Sequence, residues 1–406
     1  MRKAMMAGIA LLLAGTMARS QEPGSVAVSA VQAGSCCACE PAVSFCDREC
    51  SECAGLPRFW AGSEYLMWWV RKGPLPFPLV TTGDPNDNPP GALGQPGTQV
   101  LFGGSGLDYG TFSGLRATVG GWFDPQCTLG LELSGFLLER RSVGFAAASD
   151  ATGNPPLYVP VFNVSTGAEG SFTIADPLFG SSGNIAVVSA LRLWGYEANV
   201  LRNLRRDDRL TIDLLLGYRY LQLAENLHID AFFNDFLTDI QGPASDQFST
   251  RNSFSGGQLG GRVALLRGPM SLELLAKVAL GNNHERVSIN GLTFQSGTGL
   301  VAPTLTAGGI LTAPTNIGTT THDEFSVIPQ VGIKAGYNIR THVRATVGYD
   351  FLYWSSVVRP GDEIDRVINP TQQFGGTLVG EPRPIPLFNR TGFVAHGVSF
   401  GLDLEF

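Results

Sequence analysis

The chain has 406 residues, 16% of them charged and 51 of them glycine, with a formal net charge of −7. Acidity of this kind disfavours nucleic acid and anionic headgroups as partners of the chain as a whole. Few charges, many glycines and no sustained 3.6-residue apolar period exclude a helical protein and describe a β protein.

In chain order, Arg2 and Lys3 precede an apolar run from Ala4 to Gly15, and small residues lead to Ser20. This is the pattern of a signal peptide over 1–20, too short to span a bilayer. Residues 21–57 hold Cys36, Cys37, Cys39, Cys46, Cys50 and Cys53, and Cys127 lies apart from them. Export implies an oxidising compartment, so a disulfide-stapled periplasmic segment is expected. Cys50-x-x-Cys53 has metal-ligand spacing, but no histidine is near and no common zinc pattern is completed. No metal and no cofactor are expected.

Residues 58–406 carry ten strand-like stretches, at 59–71, 112–123, 128–139, 188–200, 210–223, 257–266, 270–281, 325–339, 342–354 and 393–406. The clearest alternate strictly. Leu210, Ile212, Leu214, Leu216, Tyr218 and Tyr220 share one face, opposite Thr211, Asp213, Gly217 and Arg219. Val343, Ala345, Val347, Tyr349, Phe351 and Tyr353 share another. At the end of the chain, Val398, Phe400, Leu402, Leu404 and Phe406 oppose Ser399, Gly401, Asp403 and Glu405. The stretches at 59–71 and 188–200 are less regular.

Connections alternate in length. Those near Asp124, Asn203–Asp208, Gly268 and Arg340 are short, whereas 72–111, 140–187, 224–256, 282–324 and 355–392 are long. Loops of that length are unusual in a compact soluble domain and usual on the extracellular side of an outer-membrane barrel. The expected fold is therefore all-β, a closed antiparallel transmembrane barrel of about ten strands, with short periplasmic turns and long extracellular loops. An even strand count places both termini in the periplasm. Trp68, Trp69, Tyr218, Tyr220 and the stretch from Tyr349 to Trp354 are expected in the outer aromatic girdle, with Trp122 and Phe123 at the inner end. The stretch 298–321, rich in Gly, Thr and Ala, is expected to be mobile and easily cut.

The inward faces would present Arg116, Glu132, Asp213, Arg219, Arg262, Glu273, Lys277, Lys334, Arg344 and Asp350 to the lumen. In so narrow a barrel these charges should pair across the interior, either lining a small pore or filling it. Phe400, Leu402, Leu404 and Phe406 are expected to face lipid and to serve as the membrane-assembly signal, with the last strand closing on the first.

Two patterns point elsewhere and are weaker. Gly397-Val398-Ser399-Phe400-Gly401 has the spacing of a nucleophile elbow but lies in a closing strand without a following helix. His228 with Asp230, His284 with Glu285 and His322 with Asp323 stand near outer strand ends, where a rim hydrolase would build its site. No catalytic residue is assigned, and no enzyme is expected.

Several of these segments also resemble a known family. They are Phe59-Trp60, Glu64-Tyr-Leu-Met-Trp-Trp69, Leu215-Leu-Gly-Tyr-Arg-Tyr-Leu, Tyr349-Asp-Phe-Leu-Tyr-Trp, Val358-Arg-Pro-Gly-Asp362 and the ending from His396 to Phe406. Together they are similar to the planctomycete outer-membrane β-barrel family, a porin-like family without an established substrate. The resemblance runs from about Phe59 to Phe406 and carries over no catalytic residues. The expected role is an integral bacterial outer-membrane protein, either a porin-like channel or an envelope scaffold. A rim hydrolase and a surface adhesin are the alternatives. Expected partners are outer-membrane lipid, the barrel-assembly machinery and small solutes in the lumen, with no nucleic acid.

Overall fold

The computed structural model describes residues 58–406, so the expectations for 1–20 and for the cysteines of 21–57 lie outside the described residues. Ten strands form one antiparallel ring: β1 (Phe59–Val70), β2 (Thr111–Trp122), β3 (Leu129–Leu138), β4 (Ser181–Arg206), β5 (Leu210–Asp235), β6 (Ile240–Arg267), β7 (Met270–Gln295), β8 (Gly318–Arg340), β9 (Val343–Val358) and β10 (Arg390–Glu405). Each pairs with its neighbour in chain order, β4 pairs with both β3 and β5, and β10 pairs with β1. The succession of pairings thus returns to its start. Closure runs from Trp60 opposite Glu405 to Val70 opposite Ala395, and the Phe406 N–H donates to the Phe59 carbonyl at 2.8 Å. Phe400, Leu402, Leu404 and Phe406 all point outward and are exposed, as a lipid-facing stripe requires.

Four short turns join the strands at one end. In the two-residue turn between Arg267 and Met270, Gly268 has φ +58°, which suits glycine at the first central position of a tight hairpin. Cys127, in the turn after β2, is buried and disulfide-bonded.

At the other end the structure corrects the expected loops. β5 and β6 do not stop near Leu223 and Gly257; they stay paired up to Asp235 opposite Ile240, where a turn over 236–239 joins them. β7 and β8 likewise extend to Gln295 and start at Gly318. The reason lies in a change of phase. Up to Tyr220 the apolar residues of β5 other than the buried Leu215 face outward; beyond it Leu221, Leu223, Leu227, Ile229 and Ala231 are buried inside, while Gln222, Asn226, His228 and Asp230 face out. In lipid the apolar face must point outward, but in water it must point inward. A strand leaving the membrane therefore keeps its period of two and exchanges its faces, which reads in sequence as an ending.

The remaining connections fold together. Arg141–Ala148 pairs with the upper part of β4, and Pro78–Thr82, Gln99–Gly103, Leu157–Asn163, Ala168–Ala175 and Val367–Ile368 form a separate five-stranded sheet drawn from three connections. Leu75, Leu79, Val80, Leu157, Val159 and Ile174 fill its core and continue into the barrel's own apolar interior. Within 298–321, the part from Thr304 to Ala313 is built into this head, while 298–303 stays mostly exposed. Thr304–Ala307 pairs with β7, and the buried Asp246 carboxylate accepts from the N–H groups of Ile310 and Leu311 and from the Thr312 hydroxyl.

Aromatic residues form two outward girdles. Trp69, Trp194, Tyr196, Tyr218, Tyr220, Tyr349 and Phe351 lie toward the head, and Phe59, Phe123, Tyr337 and Phe406 lie near the short turns. Trp68, Trp354 and Trp122, expected in these girdles, instead face inward and are buried. Trp122 packs beside Trp60, with the Arg206 guanidinium over its ring. The partner of each inner tryptophan in sequence, such as Trp69, takes the outward place.

Candidate functional site

The lumen is where the polar faces of the ten membrane-crossing strands meet. Arg116 on β2 donates to Glu64 on β1 at 2.9 Å and to Asp350 on β9 at 3.0 Å, and Lys334 on β8 also reaches Glu64. Lys277 on β7 meets Glu197 on β4 at 2.5 Å, with the Arg219 guanidinium 4.0 Å from the same carboxylate. Arg262 on β6 bridges Glu132 at 2.6 Å and Glu273 at 3.7 Å. Amide side chains knit these groups together: Arg219 donates to Gln330 at 2.5 Å, and Gln258 donates to Asn199 at 2.6 Å. Five cations, Arg116, Arg219, Arg262, Lys277 and Lys334, are thus matched by five carboxylates, Glu64, Glu132, Glu197, Glu273 and Asp350.

All ten residues expected at the lumen face it. Eight belong to this layer. Asp213 and Arg344 stand nearer the short turns, where Asn203 donates to Asp213 at 2.6 Å and Arg344 pairs with Glu405 at 2.8 Å. Glu64 and Glu197, central to the network, were not among the expected residues. Both lie on the two strands with irregular alternation, and their signal was a carboxylate beside an outward tyrosine, Tyr65 after Glu64 and Tyr196 before Glu197.

Directly above the ion-pair layer comes an apolar one. Leu66 and Trp68 of β1, Phe112 of β2, Leu138 of β3, Leu193 of β4, Leu221 and Leu223 of β5, Phe254 of β6, Ala279 of β7, Ile328 of β8, Leu352 and Trp354 of β9, and Phe393 of β10 are all buried. Every strand contributes to it. In the ion-pair layer Glu64, Glu132, Arg219, Lys277, Gln258, Gln330, Asp350 and Ser399 are also buried, while Glu273 and Lys334 stay partly exposed. Higher still, the end of β9 turns into the ring: Asn252 exchanges two hydrogen bonds with Val358, and Asn283 donates to the Ser356 carbonyl.

The rim histidines are not assembled into one site. His284 faces outward and pairs with Asp323 at 2.9 Å, while its sequence neighbour Glu285 faces inward and accepts from Arg390. His322 packs on Phe388, and His228 stands on β5. Ser399, the centre of the elbow-like pattern, is buried on the lumen side of β10. No group of three or more potential metal ligands occurs among the described residues. At the mouth, a cleft of about 510 Å³ is bordered by Arg71, Lys72, Ser105 and Arg359.

Comparison with solved structures gives matches of low identity. The outer membrane protease OmpT from Escherichia coli is 8% identical, with a TM-score of 0.40 over 88% of this chain and 99% of that one. The toluene transporter TodX of P. putida is 7% identical, with a TM-score of 0.19 over 86% and 90%. A Pseudomonas aeruginosa FadL homologue is 7% identical, with a TM-score of 0.22 over 87% and 91%. No curated protein sequence matches. Residues 60–406 match the family described as "Putative beta barrel porin-7 (BBP7)", and with that match over nearly the whole described chain this outer-membrane barrel belongs to that family.

Proposed function

We propose that the protein is a non-conducting barrel that anchors and presents a folded β-sheet head at the cell surface, an envelope scaffold rather than a diffusion pore. The observation that carries this reading is the pair of stacked layers in the lumen, a polar one in which nine strands supply paired charges and β10 supplies Ser399, and an apolar one built by all ten, both largely buried. A pore for hydrated solutes needs a continuous wet path, and two stacked layers of largely buried side chains argue against one. Planar-bilayer recording of the purified full chain tests it: no stepwise conductance is expected. Reproducible channel openings by the wild-type protein would overturn the scaffold reading in favour of a channel.

A second reading, adhesion through the head, is favoured by the tip of the β5–β6 hairpin. Leu237 is 76% exposed, and Leu178, Phe179 and Phe236 are exposed beside it, with the Phe236 N–H donating to the Gly180 carbonyl. Clustered exposed apolar side chains mark contact sites. Cells carrying Phe236→Ser with Leu237→Ser should attach to surfaces and to one another less than wild type, at equal surface levels.

A further inference from the structure

The outward face of the barrel wall, read row by row across β4 to β8, shows an unpaired positive stripe just above the membrane. Register places Tyr196, Tyr220, Ser255, Asn282 and Phe325 in one row, with the girdle residues Tyr196 and Tyr220 on it. The next row holds Trp194, Gln222, Ser253, His284 and Asp323. The row after that is Arg192, Ala224, Arg251, Arg286 and Thr321. The three arginines are exposed and lie on the outward face. None of them has a carboxylate or other hydrogen-bonding partner among the described residues.

Two features make this row unlike a scattering of surface charge. Arg251 and Arg286 are direct cross-strand partners, an arrangement of like charges that is unfavourable unless an anion sits between or beside them. Arg192 and Arg251 flank Ala224, the smallest side chain of the row, which leaves a gap one strand wide between two guanidinium groups. The row above, Ala190, Asn226, Ser249, Ser288 and Thr319, is short and polar, so nothing bulky covers the gap. The nearby outward acids do not neutralise the stripe. Asp323 is held by His284 and Asn282 one row below, Glu139 on the strand beside Arg192 is taken by Arg141 and the Ser113 N–H, and Asp230 lies three rows above.

Height decides the partner. Four residues separate Tyr220 from Ala224, about 14 Å along a strand and less along the membrane normal because barrel strands tilt. Long arginine side chains at that height reach the headgroup zone above the aromatic girdle. Guanidinium groups bind phosphate through paired N–H donors. The acidity of the whole chain does not oppose this, because at about 0.1 M salt charges more than about 10 Å away are largely screened.

We propose that Arg192, Arg251 and Arg286 form a binding site for the phosphate groups of an outer-leaflet lipid, one phosphate lying over Ala224 between Arg192 and Arg251. The full chain, purified in neutral detergent, is titrated with diphosphorylated lipid A, with the same lipid dephosphorylated, and with inorganic phosphate, and adducts are read by native mass spectrometry. The phosphorylated lipid should bind, the dephosphorylated lipid at least tenfold more weakly, and inorganic phosphate not at matched concentration. Arg192→Ser with Arg251→Ser and Arg286→Ser should weaken binding at least tenfold, whereas Arg209→Ser with Arg267→Ser, the same kind of change at the short-turn end, should not. Heat-modifiable migration checks folding. If the triple variant fails to fold, Ala224→Glu, which sets a carboxylate in the gap, should abolish binding in a folded barrel. Equal binding of the dephosphorylated lipid, undiminished binding by the triple variant or by Ala224→Glu, or inorganic phosphate binding as well as the lipid would overturn the proposal.

Discussion

Arg359 and Glu225, 134 residues apart in the chain, meet through two parallel hydrogen bonds of 2.7 and 2.8 Å, each side chain only 1% exposed. Arg359 belongs to the segment that enters the ring after β9, and Glu225 to the inner face of β5 above the membrane. Arg359 also donates to the Lys72 carbonyl at 3.0 Å, and the Tyr109 hydroxyl stands between Ser189 and Glu225. The pair therefore ties two connections, 72–111 and 355–392, to the wall. Arg359→Met should strand a buried carboxylate and cost about 3–5 kcal/mol, whereas Arg359→Met combined with Glu225→Leu should recover most of it. Urea unfolding followed by loss of heat-modifiable migration would measure both; equal midpoints for the single and double variants would count against the pairing.

The facing of β5 makes a sharp comparison. Leu214 is 41% exposed on the outer wall and Asp213 is 5% exposed in the lumen. Leu214→Arg places a charge in lipid and should cost about 2–4 kcal/mol, with Asp213→Asn costing much less. Refolding into vesicles at a series of urea concentrations would rank them, and the reverse order would mean the register is wrong.

Stability of the head should depend on alkaline pH through Glu363. Its carboxyl is buried in the turn Pro360–Glu363 and accepts only from the Asn389 N–H at 3.2 Å. Burial, reinforced by Asp362 and Glu285, pushes its pKa up to about 8. Because the folded value lies above the unfolded one of about 4.3, the stabilisation from its proton is full below about pH 4.3 and is lost as pH rises through about 8. Buried Asp246, pushed up to about 6, completes its loss at lower pH, so the window from pH 7 to 9 isolates Glu363. Melting temperatures across that window should fall for wild type and stay flatter for Glu363→Gln; parallel curves would assign the dependence to another group.

Protease added to intact cells should cut within 298–303, where Val301 is fully exposed, and spare 309–313, where Ile310, Leu311 and Ala313 are buried. Replacing Asp246 with alanine removes the carboxylate that holds the Ile310 and Leu311 N–H groups, and should open 309–313 to cleavage. Mapping the fragments by mass spectrometry would decide; cleavage inside 309–313 of the wild-type protein would contradict the fold of this connection.

The membrane half of this fold was legible because lipid and lumen impose opposite demands on adjacent residues. The alternations at 210–220, 343–353 and 398–406 assign their faces correctly, and every lumen-facing charge named from them does face inward. Glu64 and Glu197 escaped because Trp68 and Trp69 make both faces of β1 look apolar, and Gly195 and Ala198 blur β4. The height of the barrel escaped at Tyr220 and Leu221, where two apolar residues stand side by side as the faces exchange. The second sheet was not legible at all: pairings such as Thr81 with Tyr158 and Val367 with Phe162 join separate connections, and no local pattern encodes them.

The exchange of faces along β5 also protects the wall against sliding. Moving this strand by one position would turn Asp213, Arg219 and Glu225 outward and bring Leu214, Leu216 and Tyr218 into the ionic interior, while Leu223, Leu227 and Ile229 would pass into water. An ordinary soluble sheet meets one such penalty per slip, and a barrel confined to the bilayer meets the other. Here a single strand meets both, one in each solvent, so misaligned neighbours are rejected above and below the membrane surface at once.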